Sequence, residues 1–350
     1  MGKKKSQIDL LNAGNRKNQL WIMLFAAVTV SLTLASLLIG QYGTSLGKTL
    51  EGLLGISSGE EAANIRRIIW NIRVPRTLAA IVIGGILAVA GLTYQCVFRN
   101  NLVSQDILGV STSSCVGAAL GIICGFSAIQ IQITAFVLGV LNILLIFALS
   151  TRIKLDKTLS LILSGILIGG VMSSVLALIK YMASPEKHLR DIVFWTMGDI
   201  ASISMAQLGL IAVPVLIATV ILFAKRWQLN YFAFGDTEAK SIGFNIGRNR
   251  VFFLGCATIL VASAVSVAGS IGWVGLVIPQ LVRLLIGTNS KYTMPMSFMM
   301  GSSFLLLVDI INRLISAAEL PVSIISGLLG LPLFVACWFA NAKRTQEQAL

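Results

Sequence analysis

The sequence predicts an all-α polytopic membrane protein, and three observations carry that assignment. Of 350 residues, 56% are hydrophobic and only 12% are charged, where a soluble domain carries roughly a quarter charged residues. Mean hydropathy is +0.87. The apolar residues gather into runs, most of them about 20 long, the length that crosses the hydrocarbon core of a bilayer. Short polar and basic stretches separate the runs.

Ten runs fall at residues 20–40, 72–97, 107–126, 129–150, 158–182, 206–224, 251–268, 273–287, 294–316 and 322–340. The first is too long for the apolar region of a signal peptide, and no small-residue cleavage site follows it. It reads as a span entered from a basic cytoplasmic tail, residues 1–19. Residues 20–340 then form one transmembrane domain, and 341–350 a second tail. The start MGKKKS fits the loose myristoylation pattern, but a chain with many spans needs no lipid anchor. Run 273–287 is short, holds Pro279 and follows the glycine-broken Gly269-Ser270-Ile271-Gly272. Segments of that kind in transporters line a path rather than face lipid.

Ten spans put both termini on one side. The 27 Lys and Arg divide about two to one in favour of cytoplasmic termini, as the positive-inside rule requires. The net charge of +13 is thereby a topology signal, and no basic and aromatic residues interleave as on a nucleic-acid platform. Within the runs, Gly117/Gly121/Gly125, Gly165/Gly169 and Gly84/Ala88 recur at four-residue spacing, which lets helices pack closely. Val89-Ala90-Gly91 in the second run returns as Val267-Ala268-Gly269 in the seventh. A five-span offset would make the halves inverted repeats.

The chemistry that is missing narrows the function. The five cysteines lie in or beside apolar runs with no C-x-x-C pair, and the sole histidine, His188, sits in a polar loop. No metal site or nucleophile–base set can be assembled from these, so the chain reads as a non-enzyme that binds no cofactor. GTSLGKT (residues 43–49) has three residues between its glycines where a phosphate loop needs four. Asp309 is the one acid deep in a run, with Arg313 placed at i+4 to neutralise it.

Two polar stretches remain as candidate sites. Residues 225–250 contain FGDTEAKSIGFNIGRNR, the longest polar interruption inside the chain. Ala239, Ile242 and Ile246 give it a small apolar face at helical spacing. Asp236 and Glu238 near its start and Arg248 and Arg250 near its end suit the helix dipole. It is either a plain solvent loop or a helix offered to a soluble partner. On the opposite side, four arginines crowd into residues 66–76. They are balanced by Glu51, Glu60 and Glu61, or mark an inverted topology there, or form an outward basic patch for an acidic partner.

Taken in order, RVPRTLAA (73–80), FRNNLVSQDILGVS (98–111), GDTEAKSIG (235–243), AGSIGWVGLVIPQLVRLL (268–285), AELP (318–321) and GLLGLPLF (327–334) resemble the FecCD family. These are permease subunits of ATP-binding-cassette (ABC) importers for iron chelates, haem and cobalamin. The resemblance implies ten spans per subunit in the bacterial cytoplasmic membrane and two permease subunits, identical or related, around one path. It implies a cytoplasmic ATPase that carries ATP and magnesium, and an extracytoplasmic substrate-binding protein. Gly235, Asp236, Glu238, Ala239 and Gly243 become the expected ATPase-coupling set. Arg73, Arg76 and Arg313 become the docking residues for the binding protein, and Thr158 and Ser160 the cytoplasmic gate. The chain departs from the family pattern at Asp236, usually Glu, at Gln280, often His, and at Asn101, often Pro. Ferric siderophores are the expected cargo, with haem and cobalamin as alternatives. A secondary transporter driven by an ion gradient is the reading from another class.

Overall fold

The computed structural model describes residues 2–39, 47, 60–234, 236–241, 243–315 and 320–349. Among them every regular element is helical. Helix α1 (Gly2–Leu38) is followed by α2 (Glu60–Ile68), a π-helical turn (Ile69–Arg73) and α3 (Val74–Phe98) in one continuous run. Then come α4 (Val110–Ile123), α5 (Ala128–Ser150), α6 (Lys157–Met182), α7 (Arg190–Met197) and α8 (Met205–Lys225). A 3-10 segment (Arg226–Ala233) leads to α9 (Asp236–Ser241), α10 (Ile246–Ala268), α11 (Val274–Ile286), α12 (Ser290–Ile315) and α13 (Val322–Ala349).

The ten expected runs resolve into eight helices long and apolar enough to cross a membrane and two shorter ones, α4 and α11. The short pair hold the third and eighth places among these ten. That is the five-span offset of the Val-Ala-Gly echo, which the helix lengths repeat independently. Helices α1 and α13 run on through the expected tails, to Gly2 and Ala349. The short α7 (Arg190–Met197), within a stretch expected to be loop, ends at Gly198.

Burial sorts the helices into a centre and a periphery. In α3, α10 and α12, 83%, 78% and 72% of the most apolar stretch is buried, against 6% in α1 and 17% in α6. Small residues make the centre possible. A methyl group on Gly84 of α3 would overlap the Gly301 carbonyl of α12, and one on Gly91 would overlap Gly275 of α11. Gly117 and Gly121 of α4 meet Thr134 and Ile131 of α5 in the same way, while Gly165 and Gly169 meet Leu108 and Gly109. The four-residue spacing is therefore packing at Gly84, Gly117, Gly121, Gly165 and Gly169, while Gly125, with φ +68° and no neighbour within 4 Å, serves the turn after α4. Without a hydrophobic drive between helices in lipid, such close approach supplies the dispersion and polar contacts that hold them.

Side-chain amides tie the two halves at membrane depth. Gln95 of α3 donates to the Gly275 and Leu276 carbonyls at 3.3 and 3.2 Å, and Gln105 to the Ile271 carbonyl at 3.3 Å. Gln280 donates to the Asn101 carbonyl at 2.9 Å, while Arg283 bonds the side-chain oxygens of Gln95 and Asn101. Non-helical backbone inside a membrane needs such partners. The motifs 98–111 and 268–285, far apart in sequence, thus form one interior joint.

Candidate functional site

The π turn ahead of α3 follows from Pro75. Its ring nitrogen cannot donate to the carbonyl four residues back, and the chain widens so that the Val74 N–H reaches Ile69 instead. A single widened turn of this type often marks a functional position. Here it aims Arg73 and, one turn on, Arg76 into the interior.

Both arginines enter a buried polar layer built around Asp309 of α12, which is 0% exposed. Its carboxylate accepts from Arg76 Nε at 2.7 Å and from Arg313 Nη2, the i, i+4 partner. Arg313 also donates to the carbonyls of Ser36 and Ile39 at 2.7 and 3.0 Å and to Ser36 Oγ at 2.9 Å. Arg73 reaches the Leu37 and Leu38 carbonyls at 3.1 and 3.4 Å. The last carbonyls of a helix lack intrahelical partners and form the negative end of its dipole. Two guanidiniums satisfy them at the end of α1, and the layer fastens α1, α3 and α12 together.

Arg73, Arg76 and Arg313, the expected docking set, all lie in this buried layer. They are 4%, 4% and 8% exposed and spend their hydrogen bonds inside the chain. The pairing of Asp309 with Arg313 was visible as a spacing of four. The share that Arg76 takes in the same carboxylate crosses 233 residues, and no local pattern could show it.

At the other end of the bundle, α9 is held by aromatic packing. Phe244 lies edge-on to Tyr231 and Phe232, with ring centroids 5.1 and 5.5 Å apart, and Phe232 meets Phe253 at 5.8 Å. The Phe244 N–H closes on the Ala239 carbonyl at 2.9 Å. Ala239 is wholly buried beneath the helix, while Glu238 is exposed above it. Arg99, left-handed at the end of α3, donates to the carbonyls of Phe232 and Phe234 and anchors the approach to α9. Gly235, Ile242 and the Asp236 side chain lie outside the described residues.

One continuous helix over this stretch is not what forms. Gly243 takes φ +78°, a left-handed conformation that ends α9 at no steric penalty for glycine. Asn245 then caps α10, its Oδ1 accepting from the Arg248 N–H at 3.1 Å. Arg248 consequently sits in the first turn of α10 and Arg250 at the start of its second, near the dipole's positive end and not at the end of α9. Arg250 is 3% exposed.

Arg250 lines a cleft of about 430 Å³ with Ser160, Lys157, Ile153, Phe147 and Gly247. Here α6 begins. Asp156 caps it, accepting from the Thr158 N–H at 2.9 Å and the Leu159 N–H at 3.4 Å. Those backbone donors, the Thr158 N–H first, hold the Asp156 carboxyl below the usual carboxylate range. Thr158 is half-buried, and Ser160 is buried with its hydroxyl donating to the Ile153 carbonyl at 3.2 Å. Both expected gate residues stand on the first turns of α6, and Ser160 lines the cleft. Arg99, α7 and the burial of Arg250 are the parts that sequence reasoning passed over. A left-handed arginine has no local signature, and a buried cation in a polar loop resembles a solvated one.

No group of His, Cys, Asp or Glu able to hold a metal occurs among the described residues. What the geometry offers is a long-helix bundle with a fastened outer layer, an amide-tied centre and an exposed short helix at the opposite end.

The model of the FecCD transport family matches residues 27–339. The chain belongs to the FecCD transport family. It is 36% identical to the molybdate import system permease protein MolB of Haemophilus influenzae over 85% of this chain and 89% of that one. A Helicobacter pylori permease assigned to an iron chelatin transport system is 34% identical over 89% of this chain and 95% of its own. Permeases for haemin and vitamin B12 are also relatives. Among solved structures, an ABC transporter assigned to the metal-chelate type, in an inward-facing conformation, superposes with a TM-score of 0.82. It is 33% identical, covering 91% of this chain and 98% of that one. This FecCD chain is thus a multi-pass, all-helical membrane protein of the ABC permease class.

Proposed function

We propose that this FecCD chain is the membrane-spanning subunit of an importer that carries a ferric siderophore-type chelate inward across the cytoplasmic membrane. It does no covalent chemistry. A separate ATPase docks on α9 through Gly235, Asp236, Glu238, Ala239 and Gly243, and nucleotide binding there shifts the permease between outward and inward states. Work of that kind is differential affinity between two conformations. A substrate-binding protein loads the chelate from outside, and a second permease, identical or related, completes the path. Thr158 and Ser160 gate its cytoplasmic end, and both termini are cytoplasmic.

The observation that carries this reading is α9 itself. It is a short helix that exposes Glu238 and is pinned from beneath by Ala239, Phe244 and the aromatic cluster, so a push on it is transmitted into α10 and α3. The cargo rests on kinship, and the MolB relative gives a specific second reading: a molybdate-type oxyanion in place of a ferric chelate. Haem and cobalamin complete the candidates.

The test is purification of the tagged chain in mild detergent with its co-purifying proteins identified, followed by reconstitution of that set in liposomes. Ferric siderophore, haemin, cobalamin and molybdate are offered separately, with ATP inside or outside. Uptake of one cargo that requires ATP on the ATPase side supports the reading and names the cargo. Uptake by the chain alone, driven by an ion gradient without ATP, replaces it with a secondary transporter.

A further inference from the structure

The cleft where α5 ends and α6 and α10 begin holds about 430 Å³, within the ~300–1,000 Å³ typical of small-ligand sites. Its charged lining is all positive. Lys157, the first residue of α6, and Arg250 of α10 both border it, and among the described residues no carboxylate does. Arg152 and Lys154 add to the field from the exposed turn just before α6. Asp156, the acid of that turn, faces its own helix and accepts from the Thr158 and Leu159 N–H groups. Lys157 is exposed, whereas Arg250 is buried at the wall. Attraction between charges at such a position exceeds that in bulk water several-fold.

Helix ends strengthen the bias. Lys157 and Gly247 bring the positive ends of the α6 and α10 dipoles to the cleft, where negative charge is stabilised. The opposing end of α5 is muted by its own hydroxyls. Ser150 donates to the Phe147 carbonyl at 2.9 Å and Thr151 to the Ala148 carbonyl at 2.8 Å.

We propose that this cleft is a binding site for a tetrahedral dianion from the cytosol, of the molybdate, sulfate or hydrogen phosphate class, held between Lys157 and Arg250. Two cations match two charges, whereas the phosphodiester of a common phospholipid carries one. The bound anion bridges α6, which bears Thr158 and Ser160, to α10, which follows α9. It thereby links the candidate gate to the candidate coupling helix. That link, and the cytosolic side, rest on the importer reading above; the site itself rests on the cleft.

The test is equilibrium dialysis of labelled molybdate against the full chain, with the proteins that co-purify, in phosphatidylcholine nanodiscs without nucleotide. Wild type should bind. K157Q and R250Q should each bind at least about tenfold more weakly, the loss expected when a charged donor is removed, and R250K should bind more tightly than R250Q. Sulfate and phosphate should displace molybdate, and chloride at the same ionic strength should not. Size-exclusion chromatography checks assembly; should R250Q fail it, K157Q, at an exposed position, carries the test. No binding by wild type, or equal binding by wild type and K157Q, overturns the site. Displacement by phosphatidylglycerol added to the nanodisc, with none by free phosphate, makes the cleft a headgroup contact and overturns the free dianion. Uptake driven by an ion gradient without ATP would remove the importer reading and leave the dialysis result standing, so the two failures are distinguishable.

Discussion

Asp309 is wholly buried with guanidinium groups of Arg76 and Arg313 on its carboxylate, so its removal strands positive charge in a dry layer. Breaking a buried pair by deleting one partner costs roughly 3–5 kcal/mol. Asp309→Ala should lower the unfolding midpoint in an SDS titration by that order, whereas Arg66→Ala should stay within about 0.5 kcal/mol of wild type. Matching midpoints for the two variants would mean that the layer is not the fastening described. Asp156 makes a smaller and pH-dependent contribution. Its folded-state pKa is depressed by the Thr158 N–H, so the stability it adds is present above the ordinary carboxylate value of ~4 and fades as pH falls through the depressed one. Asp156→Ala should cost about 1 kcal/mol at pH 7, the typical worth of a helix cap. The gap to wild type should narrow in the same titration repeated at acid pH; a constant gap would mean that the charge is idle.

At the scale of elements, the interface of α3 with α11 is set by glycine facing glycine. A side chain on Gly91 overlaps the Gly275 backbone, and backbone cannot rotate away as a side-chain tip can. Gly91→Leu should therefore abolish assembly of the complex, while Gly170→Ala, where open space surrounds the position, should leave it intact; co-purification of the ATPase reads both. Helix α9 invites a different experiment. Glu238 is exposed and Ala239 buried, so Glu238→Lys should uncouple ATP hydrolysis from uptake with membrane insertion retained, and unchanged uptake would remove α9 from the coupling path. Much of this level was legible in sequence. Each of the ten apolar runs is helical where hydropathy put it, because apolar length is a local property. The break at Gly243 was not. The periodicity of Ala239, Ile242 and Ile246 spoke for one helix, and left-handed glycine with an Asn245 cap overrode it. The outer layer was half legible. Spacing of four reveals Asp309 with Arg313, but the appetite of α1's final carbonyls for donors is a tertiary fact that turned expected outward arginines into a buried frame.

For the whole molecule, the free cysteines provide a test of orientation in the natural sequence. Cys115, Cys256 and Cys337 are buried and Cys96 is half-buried, which leaves Cys124 as the exposed thiol among them. It lies at the end of α4, next to the turn into α5. With a cytoplasmic N-terminus, α1 leads outward, α3 inward and α4 outward again, so that turn faces the outside. A membrane-impermeant maleimide applied to intact cells should then label the wild-type chain at Cys124, and Cys124→Ser should abolish the signal. Thr151→Cys in the Cys124→Ser background places a thiol at the far end of α5, at an exposed position. It should react only after the membrane is opened. Labelling at Thr151→Cys in intact cells, with Cys124 silent, would invert the molecule. It would put α9 outside, where no cytoplasmic ATPase could reach it, so the proposed coupling surface would fail. The two ends of the bundle are thus a single hypothesis: the charge excess that orients the chain also decides which partner meets which helix.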